Sequence, residues 1–178
     1  GDFYTWPVMW AYEHFKDIAS RERVERWGLM LQNVDPEKLY REYMSSHNNW
    51  NVVNLAGEYV RHRAGFGGID YVEKCLEGQL SHFTDYGMYN EHGNPLPYDL
   101  FPRHYLSGML CLGYKGKHFE QYRELLHKGA WMSLFMQSPF GELPTGYRSS
   151  QHIWNEAQQC VLFEMYASAF NEKGRNED

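Results

Sequence analysis

Apolar side chains recur along this chain at the three- and four-residue spacing of amphipathic helices. Three long stretches carry a single apolar stripe opposite a charged face: residues 20–32, 69–83 and 119–134. A shorter stretch of the same kind covers residues 37–43. Because one face of each is charged, we interpret these stretches as outer helices whose polar side meets water.

A second kind of helical stretch is apolar on more than one face and carries few charges, which is typical of buried helices. Four stretches have this character: residues 3–18, 50–61, 100–112 and 153–170. They alternate with the outer stretches, and their starts recur at intervals of about fifty residues, in the range of repeat architectures. The pattern predicts an all-α fold of antiparallel helical hairpins, about three to four of them.

Polar loops precede three of the inner helices, near positions 47–50, 98–99 and 148–152. Asp99 and either Ser149 or Ser150 are expected to be N-caps, and Pro102 is expected in a first turn. Long connections lead into these loops, whereas the turns at the opposite end are short. Because loops held by rigid elements commonly carry function, we expect the site at the N-terminal ends of the inner helices.

Composition excludes several classes of partner. The 178 residues carry 17 basic and 23 acidic side chains, a net charge of −6, so neither nucleic acid nor an anionic membrane is an expected partner. No apolar run approaches the ~18 residues of a membrane span. The three cysteines show no zinc spacing and are expected to be small buried residues. Aromatic residues make up 17%, enough for ring platforms as well as a core.

The length indicates one domain, residues 1–178. Closed rings of helical hairpins need about six or seven hairpins, so we expect this domain to be part of a larger ring. We therefore expect it to associate with the rest of that ring or with itself. The following residues are expected in the core: Phe3, Trp10, Trp27, Val53, Leu76, Leu106, Leu126, Phe163 and Tyr166.

Three segments carry a family resemblance: HNNW at 47–50, YDLFPR at 98–103 and PTGYRSSQHIWNEA at 144–157. Together they resemble the α/α-toroid carbohydrate-active enzymes, which include uronate polysaccharide lyases, glycoside hydrolases and uncharacterised families with an Asn-Asn-Trp helix start. The resemblance implies a toroid whose cleft lies at the N-terminal ends of the inner helices. It also implies a poly- or oligosaccharide substrate. No cofactor and no metal-binding residues are expected, and a metal requirement is left open. It suggests a periplasmic or secreted protein, with a cytoplasmic location left open.

For a lyase, the resemblance implies a base, an acid and groups that neutralise the substrate carboxylate. His152 or His47 would be the base, and Tyr98 or Tyr147 the acid. His47 precedes the asparagine pair, unlike the Asn-Asn-His order of some alginate-type lyases, so the choice of base stays open. The residues expected to bind substrate are Asn48, Asn49, Trp50, Asp99, Arg103, Arg148 and Asn155. Arg148, His152 and Asn155 or Glu156 would share one helix face.

A hydrolase on the same fold would instead need two facing carboxylates. The acids at this end are Glu91, Asp99, Glu142 and Glu156, and Glu156 is expected to pair with Arg148 or Arg103. A non-catalytic glycan-binding or scaffold module and a terpenoid-handling α/α barrel are further alternatives. Convergent arginine, histidine and carboxylate groups favour an enzyme over a non-catalytic module, and the resemblance implies cleavage of a uronate-containing glycan, by β-elimination in the first place.

Overall fold

The structure, a computed structural model, describes residues 3–40, 49–91, 97–143, 149 and 152–171. For residues 169–171 it describes the backbone without the side chains. Within these ranges the chain forms eight α-helices and one 3₁₀ turn, Leu80–His82. The helices are α1 (Thr5–Phe15), α2 (Arg21–Gln32), α3 (Pro36–Leu39), α4 (Asn49–Arg63), α5 (Asp70–Gln79), α6 (Pro97–Cys111), α7 (Phe119–Met136) and α8 (Ile153–Asn171). Extended pairing in the described part is limited to a bridge between Phe83 and Tyr89. The predicted all-α class is confirmed.

Each stretch with helical periodicity folds as a helix close to its predicted limits. The predicted outer helices correspond to α2, to α5 with the 3₁₀ turn, and to α7. The predicted inner helices correspond to α1, α4, α6 and α8. The short outer stretch is helical only in α3, and its residues 41–43 lie outside the described residues. The periodic pattern thus located the helices because each needs an apolar face toward its neighbours.

Contacts divide the chain into two compact units, Gly1–Gly78 and Gln79–Asp178. In the first unit, inner helices α1 and α4 pack together and run parallel. Phe3 meets Trp50 at the start of α4, and Tyr12 meets Phe66 just beyond its end. A Cβ on Gly57 would lie 2.6 Å from the Trp6 backbone nitrogen, so glycine permits the close approach.

The middle of α4 is buried on every face, as expected for an inner helix. The two buried charged residues of this helix neutralise each other: Arg61 pairs with Glu58 at 2.6 Å. Arg61 also donates to the Leu31 carbonyl at 3.0 Å. The Tyr40 hydroxyl donates to Glu58 at 2.5 Å. Burial and the neighbouring Glu58 carboxylate raise the pKa of Tyr40. This network joins α4 to α2 and to the segment after α3.

In the second unit, α6 packs parallel to α8 and antiparallel to α7. Phe101 lies against Trp154 near the start of α8, and Ser107 meets Tyr166 near its end. Against α7 the order reverses, because Arg103 donates to Ser133 of that helix while residues farther along α6 face earlier parts of it. Both units therefore pair two inner helices in parallel.

Several core expectations are wrong. Phe3, which precedes α1, and Trp10, which borders an open groove between the ends of α1 and α4, are each 41% exposed. Trp27 and Phe163 are half-buried. The remaining predicted core residues are buried: Val53, Leu76, Leu106, Leu126 and Tyr166. Of the cysteines, only Cys75 is buried, whereas Cys111 and Cys160 are exposed.

Pro102 is not in a first turn, because α6 begins five residues earlier at Pro97. In the helix interior a proline ring removes the donor that would bond the carbonyl four residues back, here that of Tyr98. No described helix is long and apolar enough to cross a bilayer. The single domain, the partial ring and the association with further hairpins stay predictions.

Candidate functional site

The N-terminal ends of α6 and α8 lie side by side in the second unit. The Tyr98 hydroxyl is 3.1 Å from the Ser149 hydroxyl, and the Tyr98 and Trp154 rings meet edge to face at 6.1 Å. Phe101 contacts the same Trp154 ring at 5.7 Å and Tyr105 at 5.1 Å. Two of the three predicted loops therefore meet. We call Tyr98, Phe101, Tyr105, His152 and Trp154 the aromatic cluster.

His152 is the residue immediately before α8, and its side chain is exposed. Its carbonyl accepts the first-turn N–H of Asn155 at 2.9 Å. Its ring stacks on Trp154 at 6.2 Å with an angle of 24° between the planes. Ser149 is not the N-cap of α8, because it lies four residues before the helix and adopts a left-handed φ of 64°. The structure thus presents an exposed imidazole on the same tryptophan ring that Tyr98 contacts.

Asp99 is not an N-cap either, because it lies inside α6 and is buried. Its carboxylate accepts the Tyr89 N–H at 2.5 Å and the Arg103 Nε–H at 3.0 Å. Arg103 has no exposed surface and donates a further hydrogen bond to Ser133 at 2.6 Å. Burial disfavours its charged form, but the Asp99 carboxylate outweighs that effect and raises the pKa of Arg103. This pair ties α6 to α7 behind the aromatic cluster.

The guanidinium of Arg103 occupies a space that a glycine leaves open. A Cβ on Gly129 would lie 2.9 Å from Nη1 of Arg103 and 2.5 Å from the Gly87 carbonyl. Nη1 has no hydrogen-bond partner within the described residues, while Tyr166 lies close enough to influence the arginine electrostatically. Sequence reasoning missed Ser133, Gly129 and Tyr89. The i, i+4 spacing of Asp99 and Arg103 was the available signal for the pair.

Asn155 and Glu156 flank the cluster on α8. Asn155 is buried, and its amide donates to the Ser149 carbonyl at 2.7 Å. Its Oδ1 has no partner among the described residues. Glu156 does not pair with Arg103, whose carboxylate partner is Asp99. Glu156 is half-buried and accepts the Leu143 N–H at a long 3.5 Å. Asn155 therefore holds the loop before α8, and Glu156 is the less constrained carboxylate.

The remaining predicted site residues lie elsewhere or outside the described ranges. Asn49 and Trp50 open α4 in the first unit; Asn49 is buried and Trp50 is 44% exposed, with its ring against Phe3. The predicted residues that lie outside the described ranges are His47, Asn48, Tyr147, Arg148 and the N-cap candidate Ser150. The predicted roles of all site residues stay predictions.

One histidine near the cluster was missed because it belongs to no motif. His104 lies on α6 between Arg103 and Tyr105, and burial lowers its pKa. Its Nδ1 is buried with no partner in the described part of the chain. Across the described ranges, no group of three or more histidine, cysteine or acidic side chains is arranged to hold a metal ion. The chemistry available at the cluster is that of a tyrosine, an imidazole and aromatic faces.

Comparison with known proteins returned no match to a family model, a curated protein or a solved structure.

Proposed function

We propose that this chain belongs to a glycan-cleaving enzyme that acts by β-elimination on a uronic-acid-containing poly- or oligosaccharide. One observation carries the proposal: the Tyr98 ring and the exposed His152 imidazole both lie against the Trp154 ring where α6 and α8 begin. A proton donor, a proton acceptor and a flat apolar face are the parts this reaction needs. The resemblance to α/α-toroid enzymes supports the same location.

In the proposed reaction, His152 removes the proton on C5 of the uronate ring. The electrons of that C–H bond form the C4=C5 double bond, and the C4–O bond to the leaving sugar breaks. Tyr98 donates its proton to the leaving oxygen, so charge and protons balance. Rings of the aromatic cluster would stack on the apolar face of the sugar. Arg148, which the sequence places in the loop before α8, is the expected carboxylate partner.

The environment of the carboxylates near the cluster favours elimination over hydrolysis. A hydrolase requires two carboxyl groups facing the bond, about 5–9.5 Å apart depending on stereochemistry. Asp99 is buried and neutralised by Arg103, so it is not available to a substrate. Glu156 beside the cluster would still need a second carboxylate facing it across the bond.

The test is a panel of uronate polysaccharides followed by the ultraviolet absorbance of the 4,5-unsaturated product. We expect product from at least one uronate glycan, and none from matched neutral glycans. His152→Ala and Tyr98→Phe should each lower kcat by about 100-fold or more, within the usual range for a general acid or base. His14→Ala and Tyr86→Phe are matched controls on exposed residues and should leave the rate unchanged.

New reducing ends without absorbance would replace elimination by hydrolysis. Binding without either product would reduce the proposal to a glycan-binding module. If His152→Ala retains near-normal activity, or if its helical circular dichroism spectrum is lost, the assignment of the base is wrong.

A further inference from the structure

The first unit contains a groove that the proposed reaction does not use. It has a volume of about 280 Å³ and lies between the last turns of α1 and α4. Its lining residues are Trp10, Tyr12, Glu13, Lys16, Val60, Arg63 and Ala64. Small-molecule sites are concave and combine aromatic surface with a few placed polar groups, and this groove has both.

Trp10 supplies the flat surface. It was expected in the core, yet it is 41% exposed at the groove. Its ring packs edge to face on Trp6 at 5.7 Å, and Tyr12 packs in the same way on Phe66 at 5.1 Å. These contacts fix the orientation of both lining rings. A supported tryptophan in a concave surface can stack on a sugar ring at a small entropic cost.

The charges in the groove leave one positive charge in excess. Lys16 and Glu13 neutralise each other through a 2.7 Å ion pair. The hydrogen bond to Glu13 raises the pKa of Lys16 despite partial desolvation. Arg63 is exposed and has no ion-pair partner within the described residues. A ligand with one carboxylate would complete the neutralisation, and a guanidinium binds a carboxylate through two parallel hydrogen bonds.

We propose that this groove binds one acidic sugar ring, with the ring stacked on Trp10 and its carboxylate on Arg63. Glu13 would accept hydrogen bonds from the ring hydroxyls, and Lys16 would donate hydrogen bonds to them. The choice of a uronate among ring carboxylic acids rests on the proposed function. The groove would be a second glycan site, in the unit without the aromatic cluster and at helix C-terminal ends rather than N-terminal ends. Such a site would hold a polysaccharide to the enzyme without taking part in its cleavage.

The test uses the whole chain labelled with 5-fluorotryptophan, observed by ¹⁹F NMR and titrated with galacturonate trisaccharide. Trp10→Phe identifies the Trp10 resonance by its disappearance. We expect that resonance to shift on titration, while the resonance of Trp131, an exposed tryptophan in the second unit, stays in place. Arg63→Gln should weaken the affinity read from the Trp10 shift by about tenfold, the size of one lost charge-assisted contact.

Neutral galactotriose and benzoate are the comparison ligands. An unmoved Trp10 resonance, or an Arg63→Gln affinity equal to the unsubstituted chain, would overturn the proposal. An equal shift with galactotriose would overturn the acidic specificity, and a shift with benzoate alone would replace the sugar by an aromatic acid. The assay for the unsaturated product is a separate experiment. A Trp10 shift without product would support the proposed binding site in the groove and contradict the proposed lyase activity.

Discussion

Removing the carboxylate of Asp99 should destabilise the second unit strongly. The Asp99–Arg103 pair is almost fully buried, with the arginine side chain at 0% and the aspartate side chain at 6% exposure. In Asp99→Ala, the guanidinium would stay buried without its counter-charge and the Tyr89 N–H would lose its acceptor. Breaking a buried pair from one side costs about 3–5 kcal/mol. We expect a loss of that size in the free energy of unfolding.

Urea denaturation followed by circular dichroism measures the loss. With a slope of about 2 kcal/mol per molar urea, the midpoint should fall by about 2 M. Asp99→Asn should cost less, because its side-chain oxygen can still accept from Tyr89. The double variant Asp99→Asn/Arg103→Met should lose less than the sum of its single variants, because it leaves no unpaired charge.

The matched control is another i, i+4 pair, Glu124 and Lys128 on α7, joined at 2.8 Å with side chains 68% and 48% exposed. Glu124→Ala should leave the urea midpoint unchanged because solvent screens this pair. If Asp99→Ala behaves like Glu124→Ala, or if the two single variants are additive, the buried pair does not hold α6 in place and the reasoning fails.

Two further predictions concern packing. Gly129→Ala should destabilise the fold, because the new Cβ would lie 2.5 Å from the Gly87 carbonyl; Gly78→Ala, with open space around it, should stabilise helix α5 by about 0.5–1 kcal/mol. A thermal melt of each variant tests the pair, and equal melting temperatures would refute it. Burial raises the pKa of Cys75 to about 11, so a thiol reagent at pH 8 should titrate two cysteines quickly in the native chain and this one only after unfolding. Three equally fast thiols would contradict that burial.

The sequence located the helices well but did not foresee where their polar residues point. Periodicity alone separated outer from inner helices, because each class needs a different distribution of apolar faces. Ser133, which accepts from Arg103, lies 30 residues away on α7, and Tyr89, which donates to Asp99, lies 10 residues before that aspartate, so no helical spacing could reveal these two contacts. Asp99 was consequently predicted to be an N-cap or a substrate ligand. Trp10 was predicted in the core because helical spacing cannot show that the ends of α1 and α4 leave a groove open beside it.

The two most deeply buried inner helices, α4 and α6, each contain a buried ion pair with the same arrangement of partners. This arrangement restricts which residues are available for chemistry. In each, an acid and an arginine on one face form an ion pair: Glu58 with Arg61 in α4, and Asp99 with Arg103 in α6. In each, the acid accepts from the segment before its helix, and the arginine donates to an outer helix.

These charged groups are therefore occupied in fixing helices to one another, and freeing one for a substrate would leave its partner buried and unpaired. The cost of about 3–5 kcal/mol for an uncompensated buried charge makes that exchange unfavourable. Reactive groups must then come from residues that the packing leaves accessible. In the second unit the proposed reactive groups, Tyr98 and His152 at the N-terminal ends of α6 and α8, are of this kind. Substitutions in the buried pairs should accordingly change stability before they change substrate preference, whereas substitutions at Tyr98 and His152 should do the reverse.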